Sequence, residues 1–349
     1  MVSAWYIILS FTLITYIVLD GRNFGIGVLH WTVAKVPTER RQVIAVIGPL
    51  WSWHEVWLVS FGGILFVAFP RLLASAFSGY YLALFLILWC LILRGISLEV
   101  GGHINDRLWQ SFWDFVFLVS NTLLAILFGA AAGNLVRGVP IDADGNFHMA
   151  FFTDFGVRGH VGILDWYTVS ISLFAVVILA AHGATYLMYR TEGVVHDRSA
   201  ISTQRLWVVT IPLFLIISIE TWYVRPELAE NLVSNHLSWL GIVGIVTSII
   251  ILFTGIRYRR ERRAVLGSTF LIAALLATGA AIIFPTMETS TLSPAYSLTA
   301  HELASNHESL VTAIIWWPFA LLLSIIYFVV IARHYSGKVS APKDSQGFY

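Results

Sequence analysis

The chain has 349 residues, 58% of them hydrophobic and 12% charged, with a formal net charge of +1 and a mean hydropathy of +0.78. Soluble domains carry about twice that charged fraction, so the composition excludes an ordinary soluble domain and describes a polytopic membrane protein, with nothing in its charge to favour nucleic acid. The single cysteine, Cys90, lies inside an apolar run, which excludes an intrachain disulfide and a cysteine-based metal cluster.

In chain order, apolar runs of spanning length fall near 4–29, 49–69, 77–97, 112–135, 165–189, 206–224, 236–256, 264–284 and 310–333, nine in all. The start, Met-Val-Ser-Ala-Trp, lacks a basic n-region and a cleavage site, so the first run is expected to be retained. Asp165 is placed to cap the fifth run, and Ser305-Asn-His-Glu308 reads as a capping box ahead of the last. Residues 1–335 then form one membrane domain, and residues 336–349 a short solvated tail. Lys and Arg between the runs divide 16 to 4 between the two sides, counting Arg94 and Arg107 as loop charges and leaving Arg22 inside a span. Such a bias places the N-terminus outside and the C-terminus in the cytoplasm.

The second run, Gly48–Pro70, is the most informative. Gly48-Pro49 fits a helix start, Pro70 closes the run, and Gly62-Gly63 would let another helix approach. Its first turns hold His54 and Glu55 among Trp51, Trp53 and Trp57. Asp20 and Arg22 occur at matching depth in the first run, where the small-xxx-small spacing of Gly21 and Gly25 would admit the second. Intramembrane charges are costly and mark function by default, so this cluster is the candidate site. It reads as a polar path for protons or a ligand, or as an ion pair that only fixes helix docking. His54 could ligate haem, with His30 at the same end of the first run, but a histidine beside a glutamate is more often a hydrogen-bonded structural group. His301 and His307 do not share a helical face. Glu99, His103, Asp114 and His182 are further polar points at span ends or inside spans. No P-loop, nucleophile elbow or Cys-x-x-Cys-His haem attachment occurs.

Asp20-Gly-Arg-Asn-Phe-Gly-Ile-Gly27, the Gly48–Pro70 block, Phe77-Ser-Gly-Tyr-Tyr81, Gly133-Asn-Leu-Val-Arg-Gly-Val-Pro140 and Gly183-Ala-Thr-Tyr-Leu187 with Arg190-Thr191 together resemble subunit II of cytochrome bd-type quinol oxidases. The resemblance implies an all-α integral membrane fold of two four-helix bundles plus a peripheral helix. It implies pairing with a haem-bearing subunit I that carries haem b and haem d-type groups, oxidises quinol and reduces oxygen to water. It leaves room for small single-span subunits and for a bound quinone or lipid, and it implies a bacterial or archaeal cytoplasmic membrane. On its pattern Trp57 matches the tryptophan of the oxygen route, and Glu55 the Glu or Gln beside it. The chain departs from the pattern at Ser52, where the family has its proton-path aspartate, and at His54, where it has asparagine. Arg22 replaces an aromatic residue and Asn23 a second acid. Asp20, Glu55, Ser52 and His54 are therefore the proton-path candidates, with Glu55 expected to replace the missing acid. No catalytic or metal-binding residue and no haem are expected in this chain itself. Two rival readings are a bd-like redox complex with another electron donor or acceptor and room for its own haem at His54, and a transporter using the Asp20/Glu55 cluster. The absence of an evident inverted repeat weighs against the transporter.

Overall fold

Without water to bond, backbone in a bilayer must satisfy itself, which makes each apolar run a helix. The computed structural model describes residues 1–340. In chain order its helices are α1 (Val2–Val33), α2 (Pro37–Ile47), α3 (Trp51–Ala68), α4 (Pro70–Gly79), α5 (Tyr81–Val100), α6 (Arg107–Arg137), α7 (Trp166–Arg190), α8 (Gly193–Val224), α9 (Pro226–Ser234), α10 (His236–Arg257), α11 (Glu261–Ile283), α12 (Ala300–Leu303) and α13 (His307–His334). A small antiparallel pair, β1 (Thr286–Glu288) and β2 (Leu298–Thr299), precedes α12. Among the described residues eight helices are long and apolar enough to cross a membrane, and α2 with α3, bent by 44°, makes a ninth candidate.

The helix ends follow local chemistry. Asp165 caps α7 by accepting from the N–H groups of Tyr167 and Thr168, as its position predicts. The last span differs: Asn306, not Ser305, is its cap and accepts from Ser309 N at 2.8 Å. Ser305 is held elsewhere, its hydroxyl donating to Val67 O and its N–H to Ala68 O at the end of α3. The Gly48-Pro49 helix start also shifts. Proline has no N–H and its ring opposes the preceding turn, so α2 stops at Ile47, the chain turns through Gly48–Leu50, and α3 begins at Trp51. Pro70 ends one helix by opening the next.

Helices α1, α3, α5 and α6 pack as one bundle and α7, α8, α10 and α11 as a second, joined where α1 and α6 pack on α7. The crossing of α1 and α7 is where the glycines of the first run act. A methyl on Gly25 would lie 1.8 Å from Leu179 O, and one on Gly183 would lie 2.6 Å from the Gly25 carbonyl carbon. The small-residue spacing therefore admits α7 rather than α3, which packs on another face of α1. Gly62 and Gly63, expected to receive a helix, have no atom of the described residues within 4 Å of the place a side chain would fill. Helix α13 lies peripherally against α3, and no residue of its apolar central window is buried.

One face of the membrane domain carries an irregular cap. Val139 exchanges backbone hydrogen bonds with Thr289 and Thr291, and the Ser290 hydroxyl donates to Ile141 O, tying the α6–α7 connection to the segment after α11. On the opposite face Val339 N donates to Arg190 O, and Gln42 donates to Val339 O. Residues 336–340 are mostly exposed but tethered there, and residues 341–349 of the expected tail lie outside the described residues.

Glu288 in the cap is 6% exposed and accepts from Ser75 Oγ at 3.0 Å. Burial pushes its carboxyl up to about 7. An acid whose folded pKa is raised binds more protons folded than unfolded, so its contribution is full below the ordinary carboxylate pKa and is lost as pH rises towards about 7. Limited proteolysis of the cap should accelerate from pH 5 to pH 8 in the wild type, and Glu288→Gln should flatten that dependence.

Candidate functional site

Three helices bring the polar residues together. On α1, Asp20 and Asn23 stand one turn apart on one face, and the Asn23 amide lies 2.9 Å from Asp20 Oδ1. The first turns of α3 supply His54 and Glu55. Helix α5 supplies Arg94, whose Nη1 donates to both Asp20 oxygens at 2.9 and 2.8 Å and whose Nη2 donates to Glu55 Oε1. Asp20 lies 13 residues from the Val33 end of α1, roughly 20 Å of helix rise, well inside the hydrocarbon. Asp20 and Arg94 are fully buried, whereas the Glu55 side chain is 29% exposed. The cluster is therefore a chain of ion pairs leading from a partly open carboxylate through a guanidinium to a closed one.

A second cation completes it. Arg22 lies over the Tyr186 ring at 4.2 Å and meets His54 Nε2 at 3.0 Å. The cluster thus holds two arginines and two carboxylates, with both ion pairs made by Arg94 and Arg22 set against the imidazole and the Tyr186 ring. Arg94 was expected among the loop charges; the structure makes it the centre of the site. A charge near the end of an apolar run looks like a flank in sequence, and the only hint was its spacing of four from Cys90, itself buried on the same helix.

Other candidates divide. His54 is buried, and both its ring nitrogens are engaged, Nε2 by Arg22 and Nδ1 by Asn23 at 2.8 Å. No lone pair is left for iron, so the residues do not fit a haem there. Ser52 is exposed on α3 and stands outside the cluster that holds Glu55. Trp57 is buried two turns beyond Trp51, edge-on to Phe11 and close to Phe328 of α13. Trp51 donates to Glu99, and Trp53 packs on Tyr327. His30 pairs with Asp114 at 3.0 Å, and Arg40 holds the other Asp114 oxygen at 3.0 Å, so His30 does not join His54. His182 is bound to Ser268 and to Val18 O. Among the described residues, no group of three His, Cys, Asp or Glu side chains could hold a metal ion.

Comparisons with known proteins agree with this architecture. The family model described as cytochrome bd terminal oxidase subunit II matches residues 1–334. The chain is similar to cytochrome bd-I ubiquinol oxidase subunit 2 of Escherichia coli (strain K12), 28% identical over 350 residues that cover 92% of this chain and 90% of that protein. It is also similar to cytochrome bd ubiquinol oxidase subunit 2 of Bacillus subtilis (strain 168), 28% identical over 344 residues covering 96% of each. A solved chain from the bd oxidase of Geobacillus thermodenitrificans superposes with a TM-score of 0.71 at 19% identity, covering 95% of this chain and 98% of that one, which supports the fold.

Removing Arg94 alone strands a buried carboxylate. Arg94→Met should cost about 3–5 kcal/mol, read as lost thermal stability of the purified protein. Arg94→Met with Asp20→Asn should recover much of that loss, since the remaining Glu55 is partly open to its surroundings. An equal loss in single and double variants would show that Arg94 acts by packing.

Proposed function

Because the chain belongs to the cytochrome bd terminal oxidase subunit II family, we propose that it is the haem-free membrane subunit of a quinol-oxidising, oxygen-reducing complex and supplies that complex with a proton-accessible path. Subunit I is its partner and holds the haem groups. The observation that carries the path is the graded burial along Glu55, Arg94 and Asp20, open at one end and closed at the other. The engagement of both His54 nitrogens supports placing the haems in the partner.

The orientation follows the charge bias, with the N-terminus outside and the C-terminus in the cytoplasm of a bacterial or archaeal membrane. Trp5 donates to Leu310 O at the start of α13, whereas residues 335–339 meet Arg190 at the end of α7. The start and the end of the described chain therefore lie on opposite faces, as an odd number of crossings requires. Moving Arg94 and buried Arg137 out of the loop tally leaves 15 against 3, and the bias stands.

Glu55 takes the role that an acid at position 52 would have. Glu55→Gln should lower quinol-dependent oxygen consumption by about a hundredfold, the lower end for a positioned proton-transfer group, with assembly and the haem spectrum intact; unchanged turnover rules the path out. Trp57, packed between Phe11 of α1 and Phe328 of α13, takes the oxygen-route position of the family pattern. Truncating it to alanine should change the apparent oxygen affinity per assembled complex more than the maximal rate. A fall in yield alone, matching the cost of about 3–5 kcal/mol for losing a buried tryptophan, would make it packing.

A further inference from the structure

Arg22, Asn23 and His54, three positions at which the chain departs from the family pattern, touch one another beside Asp20, and their hydrogen-bond chemistry closes only with a defined proton count. A guanidinium can only donate, so Arg22 Nη2, 3.0 Å from His54 Nε2, requires a lone pair there. His54 then carries its proton on Nδ1. The atom facing that proton, 2.8 Å away, is one terminal atom of the Asn23 amide, and the same atom lies 2.9 Å from Asp20 Oδ1. Amide oxygen and nitrogen have nearly the same shape, so the network decides which atom stands there. An oxygen accepts from His54 but needs a proton between itself and Asp20 Oδ1, which makes Asp20 the neutral acid. A nitrogen donates to the Asp20 carboxylate but meets the Nδ1–H as donor against donor, and the His54 contact opens.

We propose that Asn23 is an amide rotor that couples the proton on Asp20 to the hydrogen bond of His54, which makes Asn23 and His54 positioning residues of the proton path. The proposal rests on the proton-path reading of the cluster. When a proton binds Asp20, the carboxylate becomes the acid, the Asn23 oxygen turns to accept from it, and His54 Nδ1–H closes on that same oxygen. Loss of the proton reverses the turn, and no other covalent bond forms or breaks. His54 Nδ1 is 3.9 Å from Asp20 Oδ1, so the released N–H has the carboxylate as its next acceptor. The charged and titratable groups around Asp20 are Tyr16 on α1, His54 and Glu55 on α3, and Arg94 on α5, with Arg22 of α1 against the far nitrogen of His54. Arg94 donates to both Asp20 oxygens, and His54 reaches Asp20 through Asn23. The rotor sits between these two contacts.

The test is a double-mutant cycle read by infrared absorption of the protonated carboxyl in the purified complex, with the band assigned by its loss in Asp20→Asn. His54→Leu should move the midpoint of the Asp20 titration down by about one pH unit, a tenfold change in proton affinity. In the Asn23→Leu background the same His54 substitution should leave the midpoint unmoved. An equal shift in both backgrounds overturns the rotor while leaving the proton path standing. The absence of any titrating Asp20 band overturns both. Should the leucine variants assemble poorly, Asn23→Ala and His54→Phe give the same comparison with different volumes, and the same two outcomes decide it.

Discussion

A guanidinium buried in hydrocarbon has few stable arrangements, and Arg94 has taken one of them. It cannot shed its charge, so carboxylates must come to it, and they come from two other helices. Asp20 fixes α1 against α5, and Glu55 fixes the start of α3 against both. Such a pair adds less to net stability than its Coulomb energy suggests, because desolvation consumes much of it. Its effect is registry: α1, α3 and α5 slide past one another only by breaking it. The other end of the molecule uses the same device. Arg137, buried at the end of α6, binds Asp165 at the cap of α7, together with Asn134 Oδ1 and the carbonyl oxygens of Gly138 and Gly162. Each arginine replaces the solvent that its neighbourhood lacks.

How much of this could be read in the sequence depends on which signal carries it. Spanning helices are set by length and apolarity, so their number and order were readable, as was the meeting of Asp20 with His54 at similar depth. Arg94 was not, because position near the end of an apolar run does not separate a flanking charge from a buried one. The Gly21/Gly25 spacing announced a close crossing but pointed to the second run, whereas the structure sets α7 there, since a helix offers several faces and Gly183 of α7 has the complementary gap. Gly62 and Gly63 carry a similar signature with no neighbour among the described residues. The cap lacks periodicity altogether: its order comes from backbone bonds between Val139 and residues 289–291, 150 positions away in sequence.

The departures at Arg22, Asn23, Ser52 and His54 are also easier to understand together than singly. Ser52 is exposed and makes no contact with the cluster, so a neutral side chain there leaves the buried charge balance untouched. Positions 22, 23 and 54 share one small volume, where a new cation, an amide and an imidazole satisfy one another. A change at one of them alone would leave a donor or a charge without its counterpart in a place no water reaches easily.

The peripheral placement of α13 has a consequence for how the protein is made. Trp53 and Trp57 of α3 pack on Tyr327 and Phe328 of a helix that begins 239 residues after α3 ends. At ordinary elongation rates that gap lasts roughly 10–50 s, during which the side of α3 that α13 will cover has lipid beside it. Lipid is an adequate neighbour for indole, so insertion of the earlier helices need not wait. The late arrival of α13 then acts as a closing strap, displacing lipid from α3 after both bundles have formed, and it makes biogenesis of this chain end with a sideways docking inside the membrane.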